Sequence, residues 1–333
     1  MNNSTRRATY KNSVPGRVFC FIGFIMRTIV LPERISDNFG DPIQKVLNLI
    51  SQITALDPNQ KIILNYESVK FTNPFFLMSL TLIVDQFTQR GYDIQISNTF
   101  RSPYLREYMS LIKFPNGINP LTFNGNFTDL MNSYNGKTYI PIIAFPAVES
   151  EEISKIRDAF LSGINRLLIR ICNLPHNMIT PMMYLVDEAV NNVLHHSKSD
   201  KGYLFAQYYK SKGYVDIVIA DVGQTFLDTY ASFDKLKAEV TDDKLAMEAA
   251  VAGKSTKSQN VDRGFGISSS KDLLTRGLNG KYFILSGSVF NIHTSEINDI
   301  VQMPETIHWQ GMYLCLRIPV IAPAGFSAYD FIH

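Results

Sequence analysis

Apolar residues recur at helical spacing in some stretches of the chain and as short continuous or alternating runs in others, and the two periods mark out the elements. Residues 28–31 (Thr-Ile-Val-Leu) read as a short strand. Asp41-Pro42 then opens a helix, the Asp as cap and the Pro in the first helical position, with Ile43, Val46, Leu47, Ile50 and Ile53 on its apolar side. Asp57-Pro58-Asn59 is a turn, and residues 61–66 (KIILNY) form a strand of the buried type. A second helix runs from about Pro74 to Arg90, with Phe76, Leu80, Ile83, Val84 and Phe87 inward and Gly91 as its stop. Residues 93–97 (DIQIS) are a third strand and 103–113 a short helix. This alternation predicts a small sheet with helices packed on it.

Residues 116–136 are rich in Asn and Gly, lack clean periodicity and read as a linker between two domains. Residues 137–145 give one or two strands. After Glu149-Ser150-Glu151-Glu152 comes a long helix whose stripe is Ile153, Ile156, Phe160, Ile164, Leu167, Leu168 and Ile171. Thr180-Pro181 predicts the start of another helix, TPMMYLVDEAVNNVLHHS. Residues 214–221 (YVDIVIAD) are a strand that ends in an acid. The expected organisation is a leader or tail at 1–27, a domain at 28–115, the linker, a second α/β domain at 137–322 and a tail at 323–333.

Composition narrows the class. With 333 residues, 45% hydrophobic and 19% charged, the chain is long enough for two packed domains, and neither disorder nor a fibrous repeat fits. Cys20, Cys172 and Cys315 are too sparse for a disulfide framework and too far apart for metal-ligand spacing, which fits a cytoplasmic setting. A net charge of +2 argues against a nucleic-acid partner held by bulk charge. Residues 1–27 carry Arg6, Arg7, Lys11, Arg17, Arg27 and no acid; +2 less these five leaves −3 for the rest. The apolar run at 18–26 is shorter than the roughly 20 residues that span a bilayer, so no transmembrane segment is expected. A tail, an upstream start before Met26, and a membrane-surface anchor all fit this leader.

The candidate chemistry lies in the second domain. Glu188, Asn192 and His196 stand four apart and share one helix face. The Asn oxygen suits Mg²⁺, which takes few protein ligands, and the Glu suits a base that orients a water or hydroxyl toward a phosphate. A solvated polar face is the other reading of the same residues. Asp221 at its strand end is an acceptor for an exocyclic amine, with Gly223 allowing close approach of a ring. Arg263-Gly264-Phe265-Gly266-Ile267, before a helical KDLL, offers free N–H groups to an anion. Gly253-Lys254-Ser255-Thr256 imitates a P-loop tail, but position 248 is Glu where that motif needs Gly.

In order and texture, residues 61–98 resemble a STAS domain of the anti-sigma-antagonist kind. That family carries an Asp-Ser pair whose Ser is phosphorylated; Asn73 and Pro74 stand there, so that switch is expected to be absent, with the adjacent Thr72 structural. The second domain resembles the GHKL ATPases (gyrase B, MutL, histidine kinases, anti-sigma serine kinases). Glu188-Ala-Val-Asn-Asn192 matches their N box, Asp221-Val-Gly223-Gln-Thr225 their adenine motif, Arg263 to Ile267 their second glycine box, and Gly311-Met312 their closing Gly-Thr. Thr225, Asp262 and Met312 depart from the family residues.

The resemblance implies a Bergerat α/β sandwich that binds ATP with Mg²⁺. Glu188 would be the catalytic base, Asn192 the metal ligand, and His196, Asp221, Gly223, Lys257, Arg263, Gly264, Phe265, Gly266, Ile267 and Met312 the nucleotide contacts. Residues 233–262, with Lys254 and Lys257, occupy the place of a mobile lid over the terminal phosphates. No histidine is followed by Glu, which disfavours a histidine kinase. Two readings stand: an ATPase or Ser/Thr kinase of the anti-sigma type, and a non-catalytic ATP-dependent interaction protein. Either acts on a protein partner, with a homodimer as one assembly.

Overall fold

The computed structural model describes residues 26–38, 40–97, 99–148, 150–234, 236–252, 254 and 271–331. The fold is mixed α/β. Its N-terminal unit is a parallel sheet of β1 (Met26–Val30), β2 (Lys61–Asn65) and β3 (Asp93–Ile96) in the order β1-β2-β3. The crossovers are α1 (Gly40–Thr54) and α2 (Pro74–Gln89). Both connect strands in the same direction along the sheet, so right-handed crossovers place both helices on one face. β2 accordingly buries Ile62 and Leu64 and leaves Lys61, Ile63 and Asn65 half-buried. The start of α1 differs from expectation: Asp41 lies inside the first turn, its N–H donating to Asn38 Oδ1 at 2.9 Å and its Oδ2 accepting from Ser36 N–H at 2.7 Å. At α2, Asn73 is the cap, accepting from Phe76 N at 2.9 Å while its Nδ2 donates to Ser36 O at 2.8 Å. Thr72 beside it is buried.

After α3 (Pro103–Leu111), the stretch read as a linker holds a helix, α4 (Phe127–Ser133), capped by Asn126. Ile118, Phe127 and Met131 are buried in the larger core, so sparse anchors do here what periodicity does elsewhere. A seven-stranded antiparallel sheet follows, in the order β4-β5-β6-β10-β7-β8-β9. Its strands are β4 (Tyr139–Pro146), β5 (Lys201–Tyr209), β6 (Tyr214–Asp221), β7 (Lys281–Gly287), β8 (Val289–His293), β9 (Asn298–Gln302) and β10 (Trp309–Pro319). On one face lie α5 (Glu151–Arg166, extended by a π turn at Leu167–Ile171) and α6 (His176–His196). α6 starts a turn before Thr180-Pro181, with Pro181 inside it, because the earlier start buries Met178. Two short helices, α7 (Phe226–Ala231) and α8 (Asp243–Val251), close that side.

The other face of the large sheet is covered by the N-terminal unit. α2 is buried on every side from Pro74 to Ile83 because it lies between the two sheets. A helix apolar all round is a core helix, not an amphipathic one. Phe75 packs on Phe283 and Tyr313 with ring centroids 4.9 and 5.1 Å apart. Tyr313 Oη donates to Phe75 O at 2.6 Å and Tyr203 Oη to Asp85 Oδ2 at 2.7 Å. Arg317 forks onto Asp216 at 2.7 and 2.8 Å and also donates to Asp37 O. Among the described residues no helix is long and apolar enough to cross a membrane.

Candidate functional site

Strand alternation decides which residues face the helices. Ile217 and Ile219 on β6, Tyr282 and Ile284 on β7, and Met312, Leu314 and Leu316 on β10 all point into the core beneath α5 and α6. Asp221 continues the same alternation and is 2% exposed. A narrow crevice of about 10 Å³ separates this face from α6, lined by Leu185, Glu188, Ala189, Asn192, Tyr282, Ile284, Met312, Leu314 and Leu316. Glu188 and Asn192 stand one turn apart on its polar wall. The neighbouring line on α6 turns toward α5 instead, where Arg157 Nη1 donates to Asn191 Oδ1 at 3.1 Å and Asn191 Nδ2 to Asp187 Oδ2 at 3.3 Å. The i, i+4 spacing alone could not choose between these lines.

Asp221 is held from two sides. Gly223 N–H donates to its Oδ1 at 2.8 Å, and the Met312 backbone N–H also donates to the carboxylate. Burial nevertheless outweighs both bonds and pushes its pKa up to about 7. Two glycines make this clasp fit. Gly311 has φ +78°, and a Cβ there would overlap Asp221 O and Oδ1. A Cβ on Gly223 would overlap Ser197 O, at the foot of α6. Gln224 N–H donates to that same oxygen at 2.6 Å, so the loop after β6 is pinned to the end of the helix that carries Glu188 and Asn192. Thr225 caps α7 in a reciprocal box with Asp228. Met312 lies buried in the crevice wall.

The structure thus places Glu188, Asn192 and Met312 on the α6 crevice, while Asp221 and Gly223 do not line it and connect to it through the Met312 N–H and the foot of α6. Lys257, Arg263, Gly264, Phe265, Gly266 and Ile267 lie outside the described residues, as does the side chain of His196. Lys254 Nζ pairs with Glu239 Oε2 at 3.2 Å. Sequence reasoning missed Ser286, whose Oγ donates to Gly311 O at 2.8 Å and accepts from Phe226 N at 3.0 Å, tying β7, the bulge in β10 and α7 together. Nothing in its sequence context marks it. Cys172 and Cys315 are free and buried, and burial pushes both thiols up, so neither is poised as a nucleophile. Among the described residues no group of three His, Cys, Asp or Glu side chains could hold a metal ion by itself. No family model, curated protein or solved structure matches the chain.

Proposed function

We propose that the chain is a Mg-ATP-binding regulatory protein, with a GHKL-type nucleotide domain built on the large sheet and a STAS-like unit on its back. The observation that carries this reading is Asp221: a buried acceptor, clasped by two backbone N–H groups and flanked by two glycines, beside a crevice bearing Glu188 and Asn192. Its carboxylate accepts the exocyclic amine of adenine, whereas guanine presents a carbonyl at the same point. The donor set fits Mg²⁺ shared between Asn192, waters and phosphate oxygens rather than an all-protein cage. On this reading Glu188 is the base that orients a water or a partner's hydroxyl.

Calorimetric titration with Mg-ATP and Mg-GTP tests the proposal. ATP is expected to bind more tightly, Asp221→Asn to lose one charge-assisted bond of about 1.5–3 kcal/mol, and Asn192→Ala to lose Mg-dependent binding. Glu188→Ala is expected to bind ATP and to lose any turnover or phosphate transfer to a partner. Equal affinity for ATP and GTP overturns the reading.

A further inference from the structure

A bulge in β10 sets the geometry around Asp221, and a helix from the other side of the sheet holds that bulge. β10 pairs with β7 at Trp309 and again from Met312, leaving Gln310 and Gly311 out of register. Its register with β6 begins only at Tyr313 opposite Ala220. Gln310 O accepts instead from Gln86 Nε2 of α2 at 3.0 Å. Gln310 Nε2 in turn donates to Gly223 O, and Gly223 N–H donates to Asp221 Oδ1 at 2.8 Å. Three hydrogen bonds therefore link the N-terminal unit to the buried carboxylate.

Gln86 is costly where it stands. It is a primary amide only 4% exposed on a helix that lies between two sheets, and an amide in such a place destabilises unless it is bonded. A Leu or Met would pack there without that cost. The amide does what they cannot: it supplies a donor to a carbonyl that the bulge takes out of the ladder. Phe75, from the same helix, packs on Tyr313, the residue next to Met312 in the crevice wall. The two contacts brace the same strand from its back face.

We infer that Gln86 is a positioning residue for the Asp221 loop, through which the N-terminal unit sets how tightly and how selectively the site holds a purine bearing an exocyclic amine. The ligand half of this inference rests on the nucleotide reading above; the positioning half does not.

The test uses the full chain with Gln86→Met, which keeps length and removes the donor, and Gln310→Leu, which cuts the same path from the strand and guards against a folding defect in α2. Amide exchange without nucleotide is expected to speed up at least about tenfold at Gly223 and Met312 in both variants, one net hydrogen bond's worth. Exchange in β2 and α5 should stay near wild type. ATP affinity is expected to fall about tenfold with GTP affinity unchanged. Wild-type exchange at Gly223 and Met312, or an equal rise throughout the chain, overturns the positioning role. If wild-type protein binds neither nucleotide, the ligand half falls with the nucleotide reading, while the exchange data still decide the positioning half.

Discussion

Asp221 is an acid in a place that favours its neutral form, and that has two consequences with opposite pH dependence. Its folded pKa of about 7 lies above the ordinary 3.8. The folded chain therefore binds the extra proton, and the stability this contributes is complete below pH 4 and lost as pH rises through 7. At about 1.4 kcal/mol per unit, the loss is about 4 kcal/mol. Urea unfolding at pH 5 and pH 8 checks it: Asp221→Asn should lack this decline, and an equal decline in both proteins would contradict it. Adenine binding runs the other way, because the amine donates to the ionised form. ATP affinity should rise with pH up to about 7 and then level, as titration at pH 6, 7 and 8 would show. The place of the acid at a strand end was legible in the sequence; the close approach at Gly223 is to Ser197 O of the chain itself, where the sequence suggested a ring. The upward shift was not legible, because it depends on what covers the carboxylate, and Met312 and Gly311 come from ninety residues further along the chain.

At the level of elements, local signals were readable and mutual coverage was not. The strand–helix alternation of the first hundred residues and the apolar stripe of α5 follow from spacing alone. α2 shows the limit. A one-sided stripe fits its sequence, but so does burial all round, and the second sheet that decides between them is built from residues beyond 137. The strands β7 to β9 carried no distinct signal, and α4 hid in an Asn-rich stretch because its cap and two buried anchors are enough in that setting. The cap of α2 tests how far local chemistry fixes this arrangement. Asn73→Ala removes both the Phe76 N–H acceptor and the donor to Ser36 O in a buried position, at a cost of about 2 kcal/mol. Chemical denaturation should show that loss with an unchanged slope; a loss under half a kcal/mol would mean water replaces the cap.

Over the whole molecule, the N-terminal unit and the large sheet share one continuous core. Ile62 and Leu64 of the small sheet and Phe205, Phe283, Tyr313 and Trp309 of the large one belong to the same buried cluster, with α2 between them. The join is stapled by polar contacts that a simple apolar patch would lack, including Tyr203 to Asp85 and Arg317 to Asp37 O. Folding of either half alone would expose a wide aromatic face, which costs about 25 cal/mol per Å² left in water. Unfolding is therefore expected to be one cooperative transition. Calorimetry should give a single peak whose van't Hoff and calorimetric enthalpies agree. The Arg317→Met variant, which leaves buried Asp216 without its partner, should lower that one peak rather than split it, at about 3–5 kcal/mol. Two resolved peaks in the wild-type protein would mean that the halves are thermodynamically separate. The back of the sheet would then be a surface that opens, and the path from Gln86 to Asp221 would report its opening to the site.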